Sequence, residues 1–377
     1  MKYYVIAGEA SGDLHASNLI RELKKEDTTA QIRGWGGDLM QAQGADVVRH
    51  FRDLAFMGYT DVLLNICTIL RNFKFCKKDI MDFKPDALIL VDYPGFNLRI
   101  ARWAKEKKLK VIYYISPTVW AWKEKRVENI RRDTDRLFTI LPFEKPFYAK
   151  HNIEVEYEGH PLLDAFENNK GSYGSREDFI SENKLDNREI IAVLPGSRKA
   201  EINYMLPEFL KTAARFPNYQ FVIAGAPSLD YSLYAKHMKD LQLKVIFGKT
   251  YALLNFSKAG IITSGTATLE TALFNVPQVV CYKGNPISFA IVKSMVMKNL
   301  KYISLVNLIL DKPILTELIQ EKMNVDNIEK ELSALLDEGK ERTRLLNGYQ
   351  DVRTVLGGGG VSSRIVRKIV NLLQRKN

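Results

Sequence analysis

The sequence has little cysteine and no long apolar run. Three cysteines, Cys67, Cys76 and Cys281, are spread over 377 residues, too few and too scattered for a disulfide framework or a four-ligand zinc site. No uncharged apolar stretch approaches the ~18 residues of a membrane-spanning helix. The opening MKYYVIAGEASGD reaches glycine and charge too early for a signal peptide. These absences predict a cytoplasmic protein that does not cross a membrane.

Acidic residues are also in the minority. The chain has 55 lysines and arginines against 44 aspartates and glutamates, which gives a net charge of +11. A basic protein favours partners with negative charge, such as nucleotides, nucleic acid or an anionic membrane surface. No recognition-helix, RNA-binding or zinc motif is present to support binding of nucleic acid. Nucleic acid is therefore not predicted as a partner.

Short apolar runs alternate with helix-like segments along the chain. The runs are YYVIA (3–7), ALILV (87–91), KVIYYI (110–115), IIAVL (190–194), QFVIAG (220–225), KVIF (244–247), AGIITS (259–264) and QVVCY (278–282). This alternation is typical of parallel βαβ units with both sheet faces covered. A polar stretch, 165–189, separates two such series. The sequence therefore predicts an α/β protein with two Rossmann-like domains facing a cleft.

The predicted domain boundaries follow from that stretch and from the C-terminal tail. We place the first domain at 1–165 and the second at 166–345, with 346–377 returning to the first. The glycines of GGGG at 357–360 offer a hinge, and Ser362 or Ser363 could cap the helix behind them. The apolar residues of that helix recur at helical spacing. They are Ile365, Val366, Ile369, Val370 and Leu373.

The turn LPGSRKAEI at 194–202 follows a predicted strand in the second domain. Helix N-termini at such strand ends present free N–H groups to anions. Ser197 can donate a hydrogen bond, and Arg198 offers a fork of donors to a phosphate. A solvated surface loop explains the motif equally well when it is taken alone.

A second turn of the same kind is SGTATLETA at 264–272. Gly265 and Thr266 let a ligand approach the backbone, and Glu270, one turn into a helix, could accept both hydroxyls of a ribose. An ordinary helix cap with a first-turn glutamate explains this motif alone. The two turns together predict a nucleotide diphosphate site in the second domain.

The first domain carries polar residues after its first predicted strand, in GEASGDLHASNLI at 8–20. The motif is not Gly-x-Gly-x-x-Gly, so the dinucleotide fingerprint is absent. Glu9, Ser11 and Gly12 would suit a sugar or another polyhydroxylated ligand. A helix cap built from Ser11 and Asp13 is the open alternative.

Asp92 follows the run ALILV, in VDYPGFN at 91–97. A carboxylate directly after so apolar a strand is costly unless it is solvated or used. It could act as a general base that takes a proton from an attacking hydroxyl. The alternative is an aspartate that starts a Pro-Gly turn.

The segment SPTVWAWKEKRVENIRR at 116–132 joins two tryptophans to basic residues. Trp120 and Trp122 beside Lys123, Lys125 and Arg126 could form a nucleic-acid patch. Core packing with a solvated basic face is the preferred interpretation, because no nucleic-acid motif accompanies them.

Two further segments combine apolar and basic residues. In 57–78 a helix would bury one stripe, and Leu64 and Phe75 would lie on the opposite side beside Arg71 and Lys74, which suits the surface of an anionic bilayer. The predicted buried stripe is Val62, Ile66, Ile69, Leu70 and Phe73, and the other flanking cations are Lys77 and Lys78. The segment 287–302, with Lys293, Lys298 and Lys301, is similar. Two buried helices with basic edges remain an equal alternative.

A metal site is not predicted. The triplet Asp133-Thr134-Asp135 resembles the D-x-D that binds manganese in some glycosyltransferases. It follows Arg131 and Arg132 and lies away from any predicted strand end that converges on the site. We expect an arginine, Arg198, and a helix N-terminus to take the place of a cation.

The motifs, in this order and at these spacings, resemble the lipid-A-disaccharide synthase family of membrane-associated glycosyltransferases. The resemblance covers nearly the whole chain. It is carried by AGEASGD (7–13), AFMGYTDVL (55–63), VDYPGFN (91–97), SPTVWAWKEKRV (116–127), LPFEKPFY (141–148), GHP (159–161), LPGSRKAEI (194–202), SGTATLE (264–270) and NLILDKPILTELIQ (307–320).

The resemblance implies a glycosyltransferase fold of the B type and an inverting reaction without metal or other cofactor. The implied donor is UDP-2,3-diacylglucosamine, and the implied acceptor is 2,3-diacylglucosamine 1-phosphate. The implied products are a β(1→6) disaccharide 1-phosphate and UDP. The implied location is peripheral, on the cytoplasmic face of the inner membrane.

The resemblance also implies roles for single residues. Asp92 would be the base for the acceptor 6-hydroxyl, and Arg198 would neutralise the diphosphate as UDP leaves. Glu270 would hold the ribose, while Glu9 and Ser11 would lie near the acceptor. The residues that match the family's donor-pocket motifs are Asn307, Glu317 and Gln320.

The chain departs from the family at Gly95, where some members have aspartate, so an auxiliary role of that carboxylate is in doubt here. Some relatives exchange C-terminal segments in a dimer, which the glycine hinge would permit. Two other functions stay open. A UDP-N-acetylglucosamine 2-epimerase shares the architecture but needs no membrane-facing helices, and a non-catalytic lipid- or nucleotide-binding protein would not need Asp92.

Overall fold

The structure is a computed structural model that describes residues 1–54, 66–122, 124–238, 241, 243–286, 289 and 300–374. It divides into two compact units, Met1–Asn168 with Gly358–Asn377, and Asn169–Gly357. Each unit contains one parallel sheet. The prediction of an α/β protein with two Rossmann-like domains is confirmed.

The first unit is built on seven parallel strands. They are β1 (Lys2–Ala7), β2 (Gln31–Gly36), β3 (Asp46–His50), β4 (Ala87–Val91), β5 (Val111–Tyr114), β6 (Arg136–Thr139) and β7 (Glu156–Tyr157). Their spatial order is β3-β2-β1-β4-β5-β6-β7, and Tyr3 pairs with Ile32 on one side and Ala87 on the other. The apolar runs predict β1, β4 and β5, because these central strands are buried on both faces.

Helices cover both faces of this sheet. They are α1 (Ala10–Glu26), α2 (Asp38–Ala42), α3 (Ile66–Phe83), α4 (Pro94–Glu106), α5 (Val119–Trp122), α6 (Val127–Asp133), α7 (Glu144–Ala149) and α8 (Leu162–Asn169), with short 3-10 turns at Phe51–Leu54 and Glu124–Arg126. Because strand side chains alternate, Tyr3 and Val5 join the core beneath α1, and Tyr4 and Ile6 join the core beneath α3 and α4.

The second unit is built on six parallel strands. They are β8 (Glu189–Leu194), β9 (Tyr219–Gly225), β10 (Lys244–Phe247), β11 (Ser257–Thr263), β12 (Gln278–Tyr282) and β13 (Glu317–Ile319), in the spatial order β10-β9-β8-β11-β12-β13. The helices are α9 (Arg176–Asn183), α10 (Lys199–Ala214), α11 (Tyr231–Ala235), α12 (Thr250–Asn255), α13 (Thr266–Leu273), α14 (Leu305–Leu310), α15 (Val325–Leu336) and α16 (Lys340–Leu356), with a 3-10 turn at Gln320–Lys322.

The last helix, α17 (Val361–Gln374), belongs to the first unit and packs against α1. Its N-terminus is capped by Asp164, which accepts hydrogen bonds from the N–H groups of Val361 at 2.9 Å and Ser362 at 2.6 Å. The cap is therefore a side chain of α8, whereas the sequence pointed to Ser362 or Ser363. The predicted apolar stripe is buried: Ile365, Val366, Ile369, Val370 and Leu373.

The chain passes from the second unit back to the first after Gly357. The sequence places this change after residue 345, but α16 continues without interruption to Leu356 inside the second unit. Gly357 then adopts φ 81°, in the left-handed region that a helix end favours and only glycine enters without strain.

Acid is expected to destabilise the first unit, because two histidines are buried in it. His15 is 4% exposed and His160 is 1% exposed. Burial lowers the pKa of His15 to about 4, although Asp164 opposes this, and burial lowers the pKa of His160 to about 3 with a further contribution from His15. Since an unfolded histidine has a pKa near ~6.5, the unfolded chain takes up protons first as the pH falls. Stability is thus fully present above that pH and is lost below it.

We expect the free energy of unfolding to fall by roughly 2 kcal/mol for each histidine between pH 7 and pH 5. Urea unfolding followed by tryptophan fluorescence measures this for the first unit alone. All four tryptophans, Trp35, Trp103, Trp120 and Trp122, lie in that unit. His160→Asn should remove about half of the pH dependence, and an unchanged dependence in that variant would contradict the explanation.

Candidate functional site

Two polar motifs of the first unit meet at the carboxyl edge of its sheet. Strands β1 and β4 are neighbours, and the chain leaves them toward opposite sides of the sheet, which is where open α/β sheets bind ligands. The strand-to-helix segments 8–13 and 92–97 therefore lie side by side. A Cβ atom on Gly8 would come within 2.3 Å of the Tyr93 ring, so a glycine is required for this contact.

The backbone of Asp92 is held in an uncommon conformation. Asp92 and Tyr93 have φ of 45° and 49°, in the left-handed region that costs a residue other than glycine on the order of 1–3 kcal/mol. Three hydrogen bonds hold Asp92 there. Its N–H donates to the Tyr114 carbonyl at 3.1 Å, and its own carbonyl accepts from the Tyr113 hydroxyl at 2.7 Å and from Asn97 Nδ2 at 2.8 Å. The backbone of this half-buried residue is thereby fixed at the end of β4.

The loop after β1 supplies the other predicted residues. Glu9 is half-buried and Ser11 is exposed. Burial raises the pKa of Tyr93 to about 12, and the negative charge of Glu9 contributes. Gly12 is buried, and a Cβ there would lie 3.3 Å from Cβ of Ala7, so its role is close packing of α1 on β1.

Asp13 caps a neighbouring helix and not its own. Its carboxylate accepts hydrogen bonds from the N–H groups of Gly37 at 2.7 Å, Leu39 at 3.1 Å and Met40 at 3.1 Å, at the start of α2. The alternative interpretation, a cap for α1 built from Ser11 and Asp13, is therefore wrong, because Asp13 caps α2 instead. Asp13, in the first turn of α1, thus links this helix to the loop after β2.

A buried carboxylate that the sequence did not assign lies beneath this edge. Glu144 is 1% exposed and accepts hydrogen bonds from the indole N–H of Trp120 at 3.2 Å and from the N–H groups of Ile140 at 3.0 Å and Leu141 at 2.9 Å. Burial raises the pKa of Glu144 to about 7 against these hydrogen bonds, and the charge of Asp92 adds to the shift. Glu144 thus fixes Trp120 near the strand ends.

The two glycine-containing turns of the second unit meet at the corresponding edge of its own sheet. Strands β8 and β11 are neighbours at the point where the strand order reverses. The loop 195–198 follows β8, and the loop 264–265 follows β11. The two turns that the sequence singles out for phosphate are therefore adjacent.

Glu201 occupies the N-terminus of α10. Its carboxylate accepts the N–H groups of Ser197 at 2.9 Å and Arg198 at 3.2 Å, and it pairs with the Arg198 guanidinium at 3.1 Å. Gly196 has φ 113°, and a Cβ there would come within 2.3 Å of Glu201 Oε2. The Pro-Gly turn thus admits a carboxylate that orients Arg198, whose side chain remains 55% exposed. Sequence reasoning missed Glu201.

The turn after β11 presents small residues and a carboxylate. Gly265 has φ 124°, and Thr266 is exposed at the start of α13. Glu270 is half-buried and accepts a hydrogen bond from the Tyr251 hydroxyl at 2.9 Å. Burial raises the pKa of Glu270, and the Tyr251 hydrogen bond opposes this. Tyr251 leaves the second oxygen of that carboxylate for other partners.

Asn307 and Glu317 are bonded to each other and to the loop before α14. Glu317 Oε1 accepts from Asn307 Nδ2 at 2.9 Å and from the Ser304 hydroxyl at 2.7 Å. Asn307 also exchanges hydrogen bonds with the backbone of Leu315. Gln320 follows β13 with φ 53°, and its Oε1 accepts from the Gly284 N–H at 3.2 Å. A place for these residues in the donor pocket stays a prediction.

Helix α3 departs from the prediction at Leu70. Leu70, assigned to the buried stripe, is 60% exposed, whereas Phe75 is 38% exposed on the predicted outer side, beside Trp35. The buried side also includes Asp79, which accepts hydrogen bonds from Arg33 and from Tyr4. Arg71 and Lys74 are exposed as expected. Leu64, Val62, Lys293 and Lys298 lie outside the described residues.

The D-x-D triplet lies at the opposite edge of the sheet, before β6. Asp133 pairs with Arg132 at 2.6 Å, and Asp135 pairs with Lys105 at 2.9 Å and Lys110 at 3.2 Å. Within the described ranges, no group of three or more His, Cys, Asp or Glu side chains is arranged to hold a metal ion. In the same part of the chain, no helix combines the length and the apolarity that a membrane crossing requires.

Comparison with known proteins identifies the family. The family model described as lipid-A-disaccharide synthetase matches residues 3–358. The chain belongs to the lipid-A-disaccharide synthetase family. It is 36% identical over 379 residues to the lipid-A-disaccharide synthase of Geobacter metallireducens, covering 99% of this chain and 97% of that one. The synthase of Syntrophotalea carbinolica is 36% identical, with 98% and 94% covered. The resemblance predicted from the motifs is confirmed, and the chain is a glycosyltransferase of lipid A biosynthesis.

Solved structures of other proteins share the fold. A Staphylococcus aureus MnaA–UDP structure has a TM-score of 0.71 at 13% identity, covering 99% of this chain and 97% of that one. The calicheamicin glycosyltransferase CalG4 has a TM-score of 0.58 at 15% identity, covering 99% and 98%. At such identities the likeness concerns the fold alone. It confirms the glycosyltransferase B-type architecture expected of a lipid-A-disaccharide synthetase.

Proposed function

We propose that the protein transfers 2,3-diacylglucosamine from its UDP derivative to the 6-hydroxyl of 2,3-diacylglucosamine 1-phosphate. The products are the β(1→6)-linked disaccharide 1-phosphate and UDP. The observation that carries the proposal is the backbone-fixed position of Asp92 at the strand-order reversal of the first sheet, next to the AGEASGD segment. Membership of the lipid-A-disaccharide synthetase family supports the choice of substrates.

In the proposed step Asp92 accepts the proton of the acceptor 6-hydroxyl. The oxygen forms a bond to C1 of the donor sugar while the bond from C1 to the diphosphate breaks. The electron pair leaves with UDP, and attack from the face opposite the diphosphate inverts the configuration at C1. The half-buried, backbone-fixed position of Asp92 suits a base that must meet one hydroxyl.

Donor binding is assigned to the second unit. Arg198 and the N–H groups around Ser197 stabilise the charge that develops on the diphosphate. Gly265 and Thr266 let it approach the backbone, and Glu270 accepts the ribose hydroxyls. These residues follow the neighbouring strands β8 and β11. Arg198 and helix α10 supply positive charge without a metal ion.

The substrates are lipids, and we propose that α3 rests on an anionic membrane surface, on the cytoplasmic face of the inner membrane. Its exposed side carries Leu70 together with Arg71, Lys74 and Lys78. An apolar side chain surrounded by cations is typical of interfacial helices.

Leu70→Glu is expected to weaken binding to phosphatidylglycerol-containing vesicles by roughly 10-fold, because it removes buried apolar area and adds a negative charge. Vesicle co-sedimentation measures this. Val355→Glu is the matched control, since Val355 is 42% exposed on α16. Equal effects of the two variants would refute docking through α3.

The proposed reaction is tested with purified protein in detergent micelles, both substrates and a chelator. Mass spectrometry follows UDP and the disaccharide, and NMR of the product determines the linkage and the anomeric configuration. We expect a β(1→6) product with chelator present. A folded protein that binds UDP and forms no such product would overturn the proposed function.

A further inference from the structure

Arg126 is a half-buried cation that the proposed reaction has not used. It ends the 3-10 turn Glu124–Arg126, directly before α6, and within the described part of the chain its side chain has neither a hydrogen bond nor an ion pair. The arginines farther along this segment are paired, Arg131 with Glu128 and Arg132 with Asp133. An arginine that is partly buried without an anion leaves part of its desolvation cost uncompensated. An anion from outside the chain would compensate it.

Arg126 lies at the same sheet edge as Asp92. The segment 115–126 follows the carboxyl end of β5, and β5 pairs with β4, at whose end Asp92 stands. Val127, next to Arg126, is buried in the same core cluster as Tyr113. Tyr113 in turn donates its hydroxyl to the Asp92 carbonyl at 2.7 Å.

The charges of Asp92 and Arg126 both act on the Tyr113 hydroxyl. Burial raises the pKa of Tyr113 well above its usual range, the negative charge of Asp92 raises it further, and the positive charge of Arg126 opposes the shift. The base and the cation therefore both stand near one hydroxyl, an arrangement that suits a ligand contacting each of them with a different group.

The acceptor has this distribution of groups. Its 6-hydroxymethyl group and its anomeric phosphate are carried by C5 and C1, the two carbons that flank the ring oxygen, so a base at the hydroxyl requires a separate cation nearby for the phosphate. An arginine presents a planar fork that matches a phosphate with two hydrogen bonds. We propose that Arg126 binds the anomeric phosphate of the acceptor and selects the phosphorylated lipid over a neutral one.

This inference rests on the proposed function and adds a specificity-determining residue to it. It also revises the interpretation of the basic segment as a solvated face. Lys125 is exposed and fits that interpretation, whereas Arg126 does not. The diphosphate of the donor is assigned to Arg198 in the second unit, so the ligand of Arg126 is a phosphate monoester.

The test compares two acceptors in three proteins. The acceptors are 2,3-diacylglucosamine 1-phosphate and its neutral 1-O-methyl analogue, and the proteins are the wild type, Arg126→Ala and the matched control Lys125→Ala. We expect Arg126→Ala to lower kcat/KM for the phosphorylated acceptor by roughly 10- to 100-fold, mostly through KM, and to leave the neutral acceptor nearly unaffected. The KM for the donor and inhibition by UDP should not change. Lys125→Ala should behave as the wild type.

Every other result would refute either this inference or the proposed function. Equal losses with both acceptors would mean that Arg126 acts structurally, and a loss in UDP inhibition would assign it to the donor. Unchanged discrimination would refute the inference while the proposed function stands. Failure of the wild type to use either acceptor would instead overturn the proposed function, and the inference with it.

Discussion

Replacing Asp92 by asparagine is expected to lower kcat for disaccharide formation by about 10²- to 10⁴-fold, the usual contribution of a positioned general base. Asparagine keeps the shape of the side chain but accepts no proton at neutral pH. It also tolerates the left-handed backbone that Asp92 adopts at φ 45°. The backbone hydrogen bonds to Tyr113 and Tyr114 do not involve the carboxylate and should persist. Initial rates with both substrates saturating measure the effect.

The control for this variant is Asp86→Asn. Asp86 is exposed at the amino end of the same strand, where it accepts the N–H of Lys2 at 2.7 Å. Its replacement should change kcat less than about threefold, as is usual for exposed positions away from a site. Both variants should bind UDP as the wild type does. Near-normal turnover by Asp92→Asn would remove Asp92 from the chemistry.

Arg198→Gln is expected to lower kcat/KM by about 10²- to 10³-fold, since one preorganised donor to developing negative charge contributes that much. Affinity for UDP should fall as well, because the diphosphate carries charge before and after transfer. Loss of the guanidinium also removes one partner of the Glu201 carboxylate at the N-terminus of α10. The carboxylate then keeps its hydrogen bonds from the N–H groups of residues 197 and 198. This carboxylate would then compete with the diphosphate for those donors.

Lys211→Gln controls for the loss of one positive charge. Lys211 is exposed toward the other end of α10 and should be neutral in the assay. Calorimetric titration with UDP separates binding from turnover. Wild-type UDP affinity and turnover in Arg198→Gln would show that the turn 195–198 does not serve the donor.

The central strands could be predicted from the sequence because they are buried on both faces. β1, β4, β5, β8, β9, β11 and β12 are nearly continuous apolar runs, and the two series correspond to the two sheets. β10 is also found, although it lies at a sheet edge and is partly exposed. Five strands escape the pattern, β2, β3, β6, β7 and β13. β2 contains Arg33 and Gly34, β3 contains three polar residues out of five, and β6, β7 and β13 have four, two and three residues. Apolar periodicity carries little information for strands so short or so polar.

The site loops could also be located, because glycine, hydroxyl and charged residues after an apolar strand indicate a strand end. The strand order that makes 8–13 a neighbour of 92–97 is a tertiary property and needed the structure. The partners of the named residues needed it too. Glu201 lies within a quoted motif, yet only the structure shows its carboxylate folded back on Ser197 and Arg198.

Helix α3 shows where periodicity misleads. Leu70 fits the apolar stripe at helical spacing but lies outside the buried side, which includes the polar residue Asp79 bonded to Arg33 and Tyr4. A buried polar network of this kind adds polar residues to a core-facing side. Asp13 gives a similar lesson, because a cap for a distant helix looks the same in sequence as a cap for its own.

The most direct test of the central claim is whether UDP release depends on the acceptor. The protein is incubated with UDP-2,3-diacylglucosamine, with and without 2,3-diacylglucosamine 1-phosphate, and separately with UDP-N-acetylglucosamine alone. We predict that UDP appears only when the acceptor is present, in equal amount to the disaccharide, and that UDP-N-acetylglucosamine is unchanged. Conversion of UDP-N-acetylglucosamine to its 2-epimer, or UDP release that ignores the acceptor, would contradict the assignment.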